Sequence, residues 1–208
     1  EQDQSRSGAF DDLLQGRKDQ EAENDDGNGP VLVPSKPLKN AEIFVRRHYL
    51  DKQTGVYTLR FQRGVFYWWN GAAYELADSQ VIRHEVYYFL AGARKVEQQA
   101  TTDKDGNSVQ KQHKVRIDPT SGMVTQILDA LRAVVTLGEN VSAPAWLDGR
   151  TSPPAHECTA LTNGVLHLPS RTLYPPTPAF WTQVGLPFAY DPEAPEPTRW
   201  HKFLSEVW

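Results

Sequence analysis

The sequence predicts an α+β fold: a helical core carrying small antiparallel β-hairpins, winged-helix-like, followed by an extended proline-rich C-terminal segment. Three observations lead there. Apolar residues recur at helical spacing in two long stretches, Val81, Ile82, Val86, Phe89, Leu90 and Ala93 in one and Val124, Ile127, Leu128, Leu131, Val134 and Val135 in the other. Asn70-Gly71 and Asn163-Gly164 each fall between runs suited to strands, a strong short-range hairpin signal. Prolines crowd the chain from Pro169 to Pro197, where continuous strand ladders and helices are disfavoured.

Taken in order, residues 1–39 are acidic, polar and poor in aromatics, with Asn24-Asp-Asp-Gly-Asn-Gly-Pro30 and three prolines between Pro30 and Pro37. Such a stretch buries too little apolar surface to offset the entropy of ordering it, so it reads as a flexible linker with one short helix at Ala9 to Leu14. Residues 40–208 read as the folded part, with a sub-boundary near 100–117. Ala41 to Tyr49 predicts a short helix burying Ile43, Phe44 and Tyr49. Val56 to Phe61, Val65 to Trp69 and Ala73 to Leu76 predict a β-meander around Arg63-Gly64 and Asn70-Gly71. Asp78 or Ser79 caps a helix through about Val96, Thr101 to Ser108 forms an exposed loop or hairpin tip, and Thr120 or Ser121 starts a second helix that Gly138 ends. Cys158 to Leu161 and Val165 to Leu168 pair as a hairpin, Thr172 to Tyr174 adds a short strand, and Thr198 caps a terminal helix.

Composition narrows the function classes. The chain has 208 residues, one cysteine and no apolar run long enough to span a bilayer, so an internal disulfide and a membrane-spanning helix are both excluded. No basic-then-apolar leader opens it, which points to a cytosolic setting; Asn140-Val-Ser142 fits a glycosylation pattern only by chance. The net charge of −4 is unevenly spread: residues 1–29 carry nine acids and three bases, residues 30–117 eight acids and fourteen bases, residues 118–208 nine acids and five bases. The basic middle keeps nucleic-acid binding in view despite the acidic total.

Catalytic and metal motifs are missing. No Gly-x-x-x-x-Gly-Lys-Ser/Thr loop occurs to cradle phosphates, and no Gly-x-Ser-x-Gly nucleophile turn occurs either. His84-Glu85 lacks the second histidine of a zinc-protease helix, and His156-Glu-Cys158 lacks a second ligand pair. The sequence therefore assigns no catalytic residue, no metal and no cofactor to these residues. Two regions are candidates for nucleic acid. Arg60, Arg63, Tyr67, Trp68, Trp69 and Tyr74 combine cations with flat rings, the elements of a single-strand platform; by strand alternation either the Tyr67/Trp69 face or the Phe66/Trp68 face must be core. Lys111, His113, Lys114 and Arg116, with Arg94 and Lys95 ending the helix before them, form an excess of bases suited to phosphates; the plain alternative is a solvated loop beside a helix C-terminus. Trp146, Trp181 and Trp200 read as fasteners for the proline-rich chain, while Trp200, Phe203 and Trp208 are candidates for a contact between subunits.

Pro144-Ala-Trp-Leu-Asp148, Asn163-Gly-Val-Leu-His-Leu168, Thr177-Pro178, Tyr190-Asp-Pro192 and Trp200 to Trp208 follow one another in order. This series resembles the segment that precedes a superfamily 3 helicase motor in phage and plasmid primase-helicases and their poxvirus relatives, over about Ala41 to Trp208. A chain opening at Glu1 without Met and stopping inside an amphipathic helix reads as a piece of something longer. The resemblance implies an upstream priming domain, a downstream ring-forming motor using ATP and Mg, single-stranded or forked DNA as partner, homo-oligomerisation, and the cytoplasm of a bacterial host. It implies for these residues a non-catalytic role in guiding DNA or supporting assembly. A protein-interaction module that never touches DNA is the competing expectation, and part of a nucleotidyl-transfer site ranks last.

Overall fold

A computed structural model describes residues 29–102 and 108–207; the short helix expected at Ala9 to Leu14 lies outside the described residues. The fold is α+β, as the patterning predicts: the described residues form four α-helices with several small, mostly antiparallel sheets. The chain divides into two compact units. Of the described residues, the first takes in those up to 50 with 57–68 and 76–139; the second takes in 51–56, 69–75 and those from 140 onward. Among the described residues no helix is long and apolar enough to cross a membrane.

In the first unit, helix α1 spans Pro37–His48, four residues earlier than the Ala41 start expected, because proline suits the first helical turn. Arg46, Arg47 and His48 fill its last turn, where the helix dipole favours cations. Strands β1 (Leu59–Gln62) and β2 (Val65–Trp69) pair antiparallel, and β3 spans Tyr74–Ala77, where the chain passes from the second unit back to the first. Helix α2 spans Ser79–Gly92 and is capped by Asp78, whose carboxylate accepts from the Gln80 N–H at 2.8 Å. Helix α3 spans Ser121–Val135, with the Thr120 hydroxyl accepting from the Met123 N–H at 3.3 Å. The three helices and the β1–β2 hairpin share one core that includes Phe44, Val45, Leu59, Ile82, Val86, Phe89, Leu90, Val124, Ile127 and Leu131.

Two helix ends differ from the expected ones, for the same reason. Helix α2 stops at Gly92, not Val96, and α3 stops at Val135 ahead of Gly138. In each case a strand partner takes over the backbone. After α3, Thr136 bridges Phe61, the Leu137 N–H donates to the Phe61 carbonyl at 2.8 Å, and the Gln62 amide donates to the Gly138 carbonyl at 3.1 Å. After α2, the chain becomes β4 (Arg94–Thr102), which pairs antiparallel with β5 (Ser108–Arg116). The loop or hairpin tip expected at Thr101 to Ser108 thus falls at the far end of this ribbon, with 103–107 outside the described residues.

The ribbon is rooted by a segment the sequence assigns to the linker. The Arg94 N–H donates to the Pro30 carbonyl at 2.9 Å and the Leu32 N–H donates to the Arg94 carbonyl at 2.8 Å. Leu32 is buried, and the Asn40 side chain clamps Val33 by donating to its carbonyl at 2.9 Å and accepting from its N–H at 3.3 Å. Both polar ends of the buried Asn40 amide are thereby satisfied.

The second unit is a set of short pairings. β6 (Ala145–Trp146) pairs with β10 (Phe180–Trp181), and a sheet of order β11-β7-β8-β9 joins Gly185–Leu186, Cys158–Leu161, Gly164–His167 and Thr172–Tyr174. The expected Asn163-Gly164 hairpin is β7–β8, and the proline-rich segment supplies β9 to β11 as pieces of two or three residues. Gly164 has a φ of 154°, and a Cβ there would lie 2.2 Å from the Tyr174 carbonyl oxygen, so only glycine lets β9 close on the turn. Helix α4 spans Thr198–Val207 and buries none of its residues, so Trp200 is not the fastener expected of it.

The root is tight. A Cβ at Gly29 would lie 1.9 Å from the Gly92 carbonyl oxygen. Gly29→Ala therefore has to push the Pro30–Leu32 segment off β4, and we expect it to lower unfolding free energy by about 1–3 kcal/mol in urea titration; wild-type stability would contradict this close approach.

Candidate nucleic-acid interface

Side-chain placement separates the two candidate regions. In the β1–β2 hairpin, Leu59 opposes Trp68, Arg60 opposes Tyr67 and Phe61 opposes Phe66. Alternation then sends Phe66 and Trp68 inward, 3% and 8% exposed, and leaves Tyr67 and Trp69 half-buried. Trp68 belongs to the core, so it is no stacking surface. Trp69 is not an open platform either: its indole nitrogen is shut off from solvent. The Arg60 guanidinium lies 5.8 Å over the Tyr57 ring, and Arg63 stands exposed at the turn with a φ of 51°. Tyr74 is buried and its hydroxyl donates to the Pro178 carbonyl at 2.7 Å. The aromatics of this hairpin are chiefly structural, and Arg63 is the cation it leaves open.

The basic stretch is placed differently. Arg94 and Lys95 do not end a helix; they begin β4, and so join Lys111, Lys114 and Arg116 on one two-stranded ribbon. Register sorts the charges by face. Arg94 opposes Arg116, Val96 opposes Lys114, Gln98 opposes Gln112 and Ala100 opposes Gln110, all on one side. Lys95, Glu97 and Gln99 oppose Val115, His113 and Lys111 on the other. The first side carries three cations and no acid. The second contains Glu97, whose carboxylate pairs with Lys95 at 2.7 Å. That hydrogen bond and the lysine charge hold the Glu97 carboxyl below its ordinary value, and the pair takes up the Lys95 charge on that side. From Val96 to Ala100 and from Gln110 to Lys114 every side chain is exposed, so the ribbon stands clear of the core on both faces.

The motifs of the last third turn out to bind one another. Trp146 pairs in register with Phe180, their rings 4.8 Å apart, and its indole N–H donates to the Pro153 carbonyl at 2.7 Å. The Arg150 guanidinium sits 4.6 Å from the Trp146 ring while Arg150 Nε donates to Asp148 at 2.7 Å. Asn163 donates to the Tyr190 carbonyl and accepts from the Tyr190 N–H, both at 2.9 Å. Trp181 is fully buried against Tyr74, centroids 4.7 Å apart. These residues perform packing and turn closure.

Chemistry in the second unit is sparse. Cys158 is buried with its Sγ 3.4 Å from the Pro154 carbonyl, and burial pushes its thiol above the ordinary value, which disfavours the thiolate that ligation or attack requires. Among the described residues no group of three or more His, Cys, Asp or Glu side chains gathers to hold a metal. One polar cluster has no motif in the sequence: His167 lies between Ser170 Oγ at 2.7 Å and Glu157 Oε2 at 2.9 Å, and Ser170 bonds Thr172 at 2.8 Å. It ties the β8–β9 turn to the short 3₁₀ turn Ala155–Glu157. Of the interface candidates, Trp200 and Phe203 are exposed on α4 and stack on each other at 5.5 Å; Trp208 lies outside the described residues.

A family model described as "D5 N terminal like" matches residues 41–208. No curated protein and no solved structure matches the chain.

The division of roles within the aromatic hairpin is measurable. Trp68→Ala is expected to cost about 3–5 kcal/mol of unfolding free energy, whereas Arg63→Ala is expected to stay within about 0.5 kcal/mol of wild type. Equal effects of the two in denaturant titration would contradict the assignment of Trp68 to the core.

Proposed function

The chain belongs to the D5 N-terminal-like family, the N-terminal region of phage- and plasmid-type primase-helicase proteins, and from that premise we propose that it is a non-catalytic accessory domain that guides DNA. Its place is between an upstream priming domain and a downstream superfamily 3 ring that binds ATP and Mg, in the bacterial cytoplasm. The β4–β5 ribbon carries the proposal. It stands clear of the core on both faces, and five of the candidate cations share it. Lysine and arginine on such a surface neutralise phosphates and release counterions, which contributes affinity without sequence preference.

A second reading rests on a different observation. Trp200, Phe203, Leu204 and Val207 are all exposed on α4, one apolar stripe at helical spacing. A stripe of this kind suits assembly, and it favours a role in ring formation or in recruiting a replication partner without DNA contact.

The two are separable in one set of measurements. Replacing Lys111, Lys114 and Arg116 together by Ala is expected to weaken binding of forked DNA at low salt and to flatten the dependence of log affinity on log salt. Unchanged affinity and slope remove the ribbon from consideration. Self-association by light scattering in a wild-type protein that binds no DNA would favour the assembly role instead.

A further inference from the structure

We propose that the β4–β5 ribbon is an arm for double-stranded DNA, laid along a groove with its Arg94/Lys114/Arg116 side against the duplex. This rests on the DNA-guiding role above and names the form of DNA and the side that meets it.

Three observations carry the inference. The first is chemical. A single strand is held largely by stacking its bases on aromatic rings, and between Arg94 and Arg116 the sequence contains no Phe, Tyr or Trp. The ribbon instead offers cations and amides, the groups that contact phosphates and base edges of a duplex. The second is dimensional. Nine residues in each strand make a ribbon about 30 Å long, and a two-stranded ribbon is one of the elements a major groove about 12 Å wide admits. Both faces are exposed over the middle of the ribbon, so nothing of the core blocks its approach.

The third observation selects the side. Arg94 opposes Arg116, and Lys114 lies next along the same side. No acid shares it. The cations stand at the root, and Gln98, Gln110 and Gln112 follow toward the tip, where their amides can donate and accept at base edges. On the reverse side Glu97 would face phosphates, and its carboxylate already pairs with the neighbouring Lys95 at 2.7 Å. Charge complementarity therefore turns the acid-free side to the duplex.

Lys111 and Lys114 provide a matched pair for the test: both are exposed lysines of β5, three residues apart and on opposite sides. Fluorescence anisotropy is measured for the whole chain and for K111A and K114A with a short blunt duplex and with one of its separated strands, across a salt series. Circular dichroism and the urea midpoint confirm that each variant is folded. The duplex is expected to bind more tightly than the strand. K114A is expected to lower the magnitude of the duplex salt slope by about 0.9, one phosphate contact, and K111A to lower it by clearly less. A strand bound as tightly as the duplex, or K111A acting as strongly as K114A, would overturn the duplex arm while leaving the DNA-guiding role standing. Wild-type protein that binds neither form would overturn both.

Discussion

One residue's backbone governs the layout of the first unit. Arg94 gives its N–H to Pro30 and its carbonyl to Leu32, so the chain leaving α2 cannot continue as helix and is set into extended conformation at once. Ala93 is fully buried at that junction, and the Ile117 N–H closes on its carbonyl at 3.0 Å from the other strand. Two hydrogen bonds from a preceding segment thus convert a helix end into the root of a ribbon. The bonds hold because Leu32 is buried and Asn40 clamps Val33, which ties the same segment to α1. Net hydrogen-bond contributions of about 1 kcal/mol each are modest, but leaving these buried groups unpaired would be costly, and that asymmetry makes the junction definite.

The ribbon then differs from everything else in the unit. The helices and the β1–β2 hairpin bury one face each in a common core. The ribbon buries neither face beyond its root, so its side chains are released from packing and are sorted only by the pleat. Such an element keeps its charges on defined sides while contributing little apolar burial. That is the physical sense in which it is available for a partner, and in the proposed role the Arg94/Lys114/Arg116 side is the working one.

The second unit follows another logic. Its strands are too short to be stable by ladder alone, and side chains complete them: Asn163 holds Tyr190, Trp146 holds Pro153, Tyr74 holds Pro178 and His167 links Glu157 to Ser170. Asn163, Tyr190, Trp146, Pro178 and His167 all come from the ordered motifs of the last third. These motifs thus make a fold, and the residues proposed to meet DNA lie earlier in the chain, between Arg94 and Arg116.

The sequence by itself determined the elements whose cause is local. The α+β class, α2 and α3 with their capping residues and buried stripes, the Asn163-Gly164 hairpin and the family resemblance were all readable, since apolar period and turn chemistry act within a few residues. The tertiary structure alone decided three things. It ended α2 at Gly92 and made Arg94 and Lys95 strand residues, because the competing partner lies more than sixty residues back along the chain at Pro30 and more than twenty ahead at Arg116. It drew Leu32 out of what reads as linker, since the three-residue run Val31-Leu32-Val33 between prolines is too short to show a period until a core receives it. It also chose the buried face of β2, Phe66 and Trp68, and sorted the ribbon's cations by side. Alternation says that two faces exist; only the packing of the whole unit says which of them meets the core and which meets water.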